Sequence, residues 1–364
     1  MHNDFILVLV VGTALAFDFT NGFHDTANVV ATSISTRAMS PRIAVGYAAL
    51  LNFAGAFISI AVAATIAQDV VAVDAITPTV VFAGLLGAIT WNLTTWWLGL
   101  PSSSSHALIG GVVGSAFAAA GADAVLGDGV LGKVLIPALV APVLAFLIGA
   151  LGIGLCYLVV GRLRPGPVTN GYRLGQIVSG GLLALAHGTN DAQKTMGVIT
   201  LALIANGSLA TDSNPPTWVV VTAASAIALG TYTGGWRIIR TLGMRIIKMD
   251  PAQGFSAQGA GAAVILASSH FGFPLSTTHV ISGGVMGAGA GKRISAVRWG
   301  VAGNIVAAWL LTLPAAALIG AFAYGLTRIF GTGSIGPAVV SALALGLAAA
   351  FAYRVRARSP VLAP

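Results

Sequence analysis

The chain has 364 residues, of which 56% are hydrophobic and only 8% are charged, against about 25% charged residues in a soluble domain. Its 18 Lys and Arg outnumber ten acidic residues, all of them Asp, and give a net charge of +8. This composition excludes a water-soluble fold. The cations form short clusters between apolar segments rather than one polar face, so they do not indicate a nucleic-acid partner.

In chain order, apolar segments of about 20 residues each predict eleven membrane crossings: 5–36, 43–66, 79–99, 104–120, 133–160, 173–205, 217–235, 254–270, 276–291, 299–325 and 335–353. No Lys or Arg precedes the first apolar run, so we expect residues 1–17 to belong to the mature protein and not to a signal peptide. The single cysteine, Cys156, lies in an apolar run and reads as a buried, inert thiol.

The distribution of positive charge predicts the orientation in the membrane. With the N-terminus outside, 15 of the 18 cations fall in cytoplasmic loops and in a basic C-terminal tail, and six Asp fall outside. Since Lys and Arg favour the cytoplasmic side, we expect a multi-pass protein of the cytoplasmic membrane with its N-terminus outside and its C-terminus inside.

Two segments are too long for a single crossing. Segments 5–36 and 173–205 would each give roughly 48 Å of helix, against a hydrocarbon core of about 30 Å. Both carry polar residues at the middle, at 18–28 and 187–194. We therefore expect both helices to break or re-enter there, since unwound backbone is tolerated at membrane depth where it lines a polar cavity.

The sequence repeats itself. Pro101-Ser-Ser-Ser-Ser-His106 and Pro274-Leu-Ser-Thr-Thr-His279 share Pro, a Ser and His at identical offsets, and each precedes a Gly-Gly-Val-x-Gly run that suits close helix packing. Asp25 precedes the first turn as Asp191 precedes the second. We therefore predict a first repeat at 1–160, a second at 161–330, and a C-terminal transmembrane helix with a basic tail at 331–364.

The predicted topology runs the two repeats in opposite directions. The expected fold is thus an all-α integral membrane protein with two inverted-topology repeats, broken helices, re-entrant Ser/Thr-rich hairpins and about 11–12 membrane segments. Inverted repeats with interrupted helices are typical of secondary transporters, whose substrate site lies near the midplane between the repeats. Channels also have inverted repeats, so a passive anion channel stays an alternative.

The two buried acids predict a cation site. An ionised carboxylate at membrane depth costs about 2.5–3.5 kcal/mol, and a bound Na⁺ or H⁺ would neutralise Asp25 and Asp191 and link them to transport. Asn21 and Asn28 offer neutral oxygens beside Asp25. The alternative for the acids is structural capping of a broken helix, and for the amides it is holding that break open.

The Ser/Thr turns predict an anion site. Each follows a proline and precedes a Gly-rich apolar stretch, the layout of an N-cap and a half-helix. A helix N-terminus attracts anions through its unpaired N–H groups and partial positive charge, and two such ends, one per repeat, would converge on one oxyanion. We expect His106 and His279 to support the site from behind. The alternative is that the hydroxyls merely satisfy the backbone.

These residues resemble the signature of the PiT-type inorganic phosphate transporters, whose duplicated Gly-x-Asn-Asp-x-Ala-Asn core is matched at 22–28 and 188–194. The resemblance extends over nearly the whole chain, including both Ser/Thr turns and the motif at 230–237. His24 replaces the first Asn, as in the bacterial branch, and Gln193-Lys194 replaces Ala-Asn in the second copy. These departures leave the coupling ion open between Na⁺ and H⁺.

The resemblance implies cation-coupled symport of inorganic phosphate by alternating access, in a homodimer, with no cofactor. The predicted phosphate site comprises Ser103, Ser104, Ser105, Ser276, Thr277, Thr278 and Asn190. The predicted cation site, for Na⁺ or H⁺, comprises Asp25, Asp191, Asn21 and Asn28. Sulfate or another oxyanion is the alternative substrate. An intramembrane hydrolase is disfavoured because adjacent Ser and His in one turn have no third group to orient them.

Overall fold

A computed structural model describes residues 4–331 and 333–358, and within these ranges the chain is almost entirely helical. The first half forms a long helix, a broken pair, a hairpin and a second long helix. These are α1 (Asp4–Ser35), α2 (Pro41–Gly55), α3 (Ala61–Gln68), α4 (Pro78–Leu98), α5 (Ser104–Ala120) and α6 (Ile136–Val160). A π-helical turn, Val130–Leu135, leads into α6.

The second half repeats this order. Its elements are α7 (Pro165–Ala205), α8 (Thr217–Thr233), α9 (Trp236–Arg240), α10 (Pro251–His270), α11 (Thr277–Lys292) and α12 (Trp299–Ile329). A last helix, α13 (Ile335–Arg358), follows. Each of the eleven predicted segments coincides with a helix or a broken pair. Of the predicted C-terminal tail, residues 359–364 lie outside the described ranges.

The expectation that α1 and α7 break at their polar centres was wrong. Both run as uninterrupted helices, of 32 and 41 residues. The backbone stays helical at these centres, where Asp25, Asn28 and Asp191 reach partners on other elements through their side chains.

The interruptions lie instead in the second element of each half. Residues 56–60 separate α2 from α3. The pair α8–α9 bends by 59° at Gly234, whose φ of +76° favours glycine. At the neighbouring Gly235, an added Cβ would lie 2.2 Å from the carbonyl oxygen of Phe23. The bend thus fits tightly against the centre of α1.

The two Ser/Thr-rich hairpins are formed as predicted. Residues 99–103 join α4 to α5, and residues 271–276 join α10 to α11. The second arm of each hairpin packs on the last long helix of the other half, α5 on α12 and α11 on α6. A Cβ at Gly114 would meet the Ala317 carbonyl oxygen at 2.0 Å, and one at Gly287 would meet the Phe146 carbonyl oxygen at 2.0 Å. Close helix packing therefore accounts for the glycine runs, as expected.

The polar residues of α1 and α7 lie between two apolar clusters. Along α1, Val10 and Phe17 belong to one cluster and Val30 to the other. Along α7 the order is reversed, since Leu183 belongs to the second cluster and Met196 to the first. The two helices therefore pass through the polar layer in opposite directions.

The fold is that of a membrane protein. Within the described ranges, four helical stretches are long and apolar enough to cross a bilayer, and the bent pair α8–α9 would make a fifth. The four are Phe5–Ser35, Pro78–Leu98, Gly127–Val160 and Trp299–Ile329. Large apolar side chains such as Leu139, Leu151 and Leu158 on α6 are more than half exposed, which suits contact with lipid.

Candidate functional site

The charged centre of the molecule is closed to solvent. The polar residues at the middle of α1 and α7 are each at most 2% exposed. They are Asp18, Asn21, His24, Asp25 and Asn28 on α1, and His187, Asn190, Asp191 and Lys194 on α7. Since a buried charge needs partners, the contacts of these groups define what the centre does.

Asp25 contacts both its own helix and the second hairpin. Its Oδ1 lies 2.7 Å from Nδ1 of His24 and accepts a 3.3 Å hydrogen bond from the hydroxyl of Thr278. The other ring nitrogen of His24 lies 3.2 Å from Oγ1 of Thr95 and 3.4 Å from Oγ of Ser102. His24 thereby links Asp25 to the first hairpin.

Asp191 carries a buried ion pair. Nζ of Lys194 lies 2.6 Å from its Oδ1, and Nε2 of His187 lies 3.3 Å from its Oδ2. The Thr277 hydroxyl donates to the same Oδ2 over 3.4 Å. Lys194 also donates to Oγ of Ser105 at 2.5 Å and to the carbonyl oxygen of Leu275 at 2.8 Å, so its ammonium contacts both hairpins.

Both hairpin tips begin half-helices with side-chain caps, as the sequence predicted. The Ser103 hydroxyl accepts from the N–H of His106 at 3.1 Å, and the Ser276 hydroxyl accepts from the N–H of His279 at 3.3 Å. In each α-helix the N–H groups of the first turn have no partner within the helix. The first residues of α5 and α11, Ser104 and Thr277, therefore bring unpaired donors to the centre.

The predicted phosphate residues differ in what their polar atoms contact. The hydroxyls of Ser103 and Ser276 cap their helices. The hydroxyls of Ser104, Ser105, Thr277 and Thr278 face the charged residues of α1 and α7, with Ser104 3.4 Å from Nδ1 of His24. Asn190 donates to Oγ of Ser269 at 2.9 Å and to the Phe273 carbonyl oxygen at 3.4 Å, so it braces the end of α10.

The amides predicted to bind a cation have free oxygens. Asn28 donates through Nδ2 to the hydroxyls of Thr277 and Thr278, at 3.2 and 2.9 Å. Among the described residues, the buried Oδ1 atoms of Asn21 and Asn28 have no hydrogen-bond partner, and the same holds for Oδ1 of Asn190 from the predicted phosphate site. Buried polar atoms are normally paired, so these oxygens suit a ligand that accepts lone pairs.

His106 and His279 meet where the tips cross. Their ring centroids are 4.8 Å apart, and the ring of His279 stacks on Trp309 at 4.1 Å. Both are 5% exposed. Each lies in the first turn of its helix and donates its backbone N–H to the cap hydroxyl, so the two residues are placed to stiffen the two turns.

The sequence did not identify several members of the centre. It left the roles of His24 and Lys194 open, and it assigned none to His187, Asn52, Thr95 or Ser102. His187 pairs through Nδ1 with Oδ1 of Asn52 at 3.3 Å, and Ser102 donates to Thr95 at 2.7 Å. The signal available was the position of His187, one helical turn before Asp191.

The ligand-type atoms of the centre converge on one place. Among the described residues, Asp25, His187 and Asp191 form the group of His and acidic side chains spaced for a metal ion, each offering one atom within 4.8 Å of the others. Carboxylates and Ser/Thr hydroxyls surround the same place. The centre thus joins cation ligands and anion donors.

The fold and this centre define a membrane transporter of small ions. A model of the phosphate transporter family matches residues 21–171 and 160–320, so the chain belongs to that family, and the predicted family is confirmed. A protein of Mycobacterium bovis named "Probable low-affinity inorganic phosphate transporter" is 56% identical over 328 residues, covering 90% of this chain and 79% of the relative. A protein of the same name from Rhizobium meliloti is 47% identical over 320 residues, covering 88% and 96%.

A solved structure shares the fold. The structure named "The sodium-dependent phosphate transporter" matches with a TM-score of 0.80 over 89% of this chain and 99% of the other, at 24% identity. The relatives' names describe transport and not catalysis, which confirms the prediction that the chain is not an enzyme.

Proposed function

We propose that the chain imports inorganic phosphate by cation-coupled alternating access. The observation that carries the proposal is the meeting of two half-helix N-termini beside two buried carboxylates, with Thr278 on Asp25 and Thr277 on Asp191. In this closed state the hydroxyls donate to carboxylates. A bound phosphate would replace the carboxylates as acceptor for these donors and for the first-turn N–H groups.

The charges of the centre support coupling to a cation. Lys194 pairs with Asp191, but a phosphate beside Asp25 is repelled unless positive charge enters with it, because like charges at contact distance in a poorly solvated site interact strongly. The free oxygens of Asn21 and Asn28 offer oxygen ligands of the kind that hard cations take. The structural neighbour is named for sodium dependence, which favours Na⁺ as the coupling ion over H⁺.

The carboxylates also favour phosphate over sulfate. At neutral pH phosphate keeps at least one P–OH group, which donates a hydrogen bond to a carboxylate. Sulfate has no proton to donate, so beside Asp25 or Asp191 it would leave an acceptor unpaired and face repulsion. A site built to pair a substrate O–H rejects an analogue that lacks it.

The closed centre supports alternating access. The tips of two hairpins from opposite halves touch across it, and α1 and α7 pass it in opposite directions. Separation of the tips toward one side and then the other would expose the site alternately. The N-out orientation, the division at residues 160 and 330, the cytoplasmic membrane and the homodimer stay predictions.

A proteoliposome assay tests the proposal. We expect labelled phosphate to accumulate above equilibrium under an inward Na⁺ gradient, or under a pH gradient if the ion is H⁺, and a hundredfold excess of sulfate to leave uptake within twofold. Asp191→Asn should abolish accumulation. The matched control, Asp123→Asn, removes an exposed acid and should transport like the wild type.

Two results would contradict the proposal. Phosphate that equilibrates without regard to any imposed cation gradient would mean a passive channel. Equal competition by sulfate would mean a general oxyanion permease.

A further inference from the structure

The two halves differ in the residues that flank the Asp of the charged centre. When Asp25 is set against Asp191, Asn21 corresponds to His187, and Asn28 corresponds to Lys194. These positions flank each Asp by about one turn on either side, on the same face of the helix. At these two positions the first half places amides beside its carboxylate, and the second half places a histidine and a lysine. Asp25 also contacts His24 at 2.7 Å, and the second half has Asn190 at that position.

Two amide oxygens on the helix of Asp25 are available to a cation. Oδ1 of Asn21 and Oδ1 of Asn28 are buried and have no hydrogen-bond partner in the described part of the chain. Carboxylate and amide oxygens are the ligands of hard cations. The neighbourhood of Asp25 is thus built to receive an ion that the protein does not itself supply.

At Asp191 the protein supplies the cation. The ammonium of Lys194 has three N–H donors, and three oxygens lie within 2.8 Å of its nitrogen: Oδ1 of Asp191, Oγ of Ser105 and the carbonyl oxygen of Leu275. Lys194 is completely buried. A second cation at this carboxylate would meet a fixed positive charge at contact distance, so a free ion does not fit there.

We infer that Lys194 is a tethered counter-cation that fills the cation position of Asp191, so that a free coupling cation binds beside Asp25 alone. The inference rests on the proposed function and names its cation stoichiometry. Among the described residues, Asp191 also belongs to the group spaced for a metal ion with Asp25 and His187, but its Oδ1 is already paired with Lys194 at 2.6 Å, which leaves Asp25 as the carboxylate of that group without an ammonium partner.

The tether also joins the cation position to the hairpin tips. Ser105 belongs to the first tip and Leu275 to the second, and Lys194 donates to both. A diffusible ion would have to bind before these contacts form. A covalently attached ammonium makes them in every cycle.

The test gives the second half, at position 194, the residue type that the first half has at the equivalent position. Lys194→Asn places at 194 the amide that the chain has at 28, and leaves Asp191 without its ammonium. We expect this variant to gain a Na⁺ site. Na⁺ titrated against choline at constant ionic strength should raise its Tm in detergent by about 3 °C more than that of the wild type, since ligand binding stabilises the folded state.

Three control variants make the measurement specific. Lys194→Arg keeps the charge and should give the wild-type titration. Lys292→Asn makes the same substitution at an exposed lysine that pairs with Asp250 at 2.8 Å, and it should gain no Na⁺ response. Asp191→Asn/Lys194→Asn removes the carboxylate as well and should lose the additional response.

The inference would be overturned if the Lys194→Asn protein is monodisperse in gel filtration and its Tm responds to Na⁺ as the wild-type Tm does. If this variant does not fold, transport by the double variant decides instead. With both charges absent, phosphate accumulation should be at least tenfold that of Asp191→Asn and show the wild-type cation dependence, and a changed dependence would overturn the inference. A wild type without phosphate uptake would contradict the proposed function and leave the Na⁺ titration valid.

Discussion

The hydroxyl of Ser105 donates a 3.0 Å hydrogen bond to the carbonyl oxygen of Leu275. Ser105 lies in the first turn of α5, and Leu275 immediately precedes the cap of α11, so this bond joins the tips of two hairpins from different halves. Lys194 donates to both residues. The contact closes the centre, and in the proposed mechanism it breaks when phosphate enters.

The first prediction concerns the helix crossing behind Asp25. A Cβ at Gly22 would lie 2.4 Å from the carbonyl oxygen of Ile227, so Gly22→Ala should push α1 and α8 apart and destabilise the protein by about 1–3 kcal/mol. Gly12, on the same helix, has no neighbouring atom within 4 Å of its added Cβ, so Gly12→Ala is the matched control. Thermal unfolding in detergent measures the stability of both variants. Equal Tm values would show that the helix crossing accommodates the added methyl group without loss of stability.

The second prediction concerns Asp250, which caps α10 and lies outside the predicted crossings. Burial raises the pKa of its carboxyl, but hydrogen bonds from Lys292, the Gln253 N–H and Tyr157 outweigh this effect, and the pKa lies below its usual value. A lowered folded pKa gives stability that is present above the unfolded pKa, about 3.9, and is lost as the pH falls through the folded pKa.

The substitutions at Asp250 separate charge from capping. Asn is also a good cap, so Asp250→Asn should lower stability by no more than about 1 kcal/mol at pH 7, and its Tm should approach the wild-type Tm as the pH falls below about 3.9. Asp250→Ala also loses the cap, at a further cost of about 1 kcal/mol. A gap between Asp250→Asn and the wild type that does not change with pH would contradict the role of the charge.

Much of the fold was predictable because hydropathy and turn chemistry are local. All eleven segments and both hairpins followed from apolar runs and from the proline–serine turns at 101 and 274. The expected breaks in α1 and α7 were wrong because the sequence does not show whether a polar side chain has a partner across the fold. Asn28 reaches Thr278 at a separation of 250 residues, and such contacts let the helix stay intact.

The candidate site was predictable only where a motif repeats. Asp25, Asp191 and the Ser/Thr turns were found through their duplication. His187 and Asn52 were not, because they occur once and meet only through the crossing of α2 with α7. Lys194 was noticed as a departure from the signature, but the direction of its side chain depends on packing. A lysine in a membrane helix either extends toward the interface or pairs with a buried acid.

The third prediction concerns orientation. Asp74 and Arg240 are both exposed in the structure and lie on opposite sides in the predicted topology. In a Cys156→Ala background, Asp74→Cys should react with an impermeant thiol reagent added to intact cells, and Arg240→Cys should react only after the cells are opened. Labelling of both cysteines from the same side would contradict the inverted-repeat arrangement.

The fourth prediction separates hydroxyls that bind phosphate from those that cap a helix. Thr277 offers its hydroxyl to the centre, 3.4 Å from Oδ2 of Asp191, whereas Ser276 uses its own for the N–H of His279. A hydrogen bond to a charged group contributes about 1.5–3 kcal/mol, so Thr277→Ala should raise the phosphate Kd roughly ten- to a hundredfold. Thr277→Ser keeps the hydroxyl and should stay within twofold of the wild type.

The same measurement on the first tip completes the argument. Ser104→Ala should weaken phosphate binding as Thr277→Ala does, because the two residues hold equivalent places at the start of α5 and α11. Ser276→Ala should lower the Tm, because the lost cap contributes about 1 kcal/mol. Its effect on phosphate affinity should be smaller than that of Ser104→Ala or Thr277→Ala. Calorimetric titration of purified protein with phosphate measures the Kd of each variant. Affinities within twofold of wild type in both Ser104→Ala and Thr277→Ala would place the anion away from the hairpin tips.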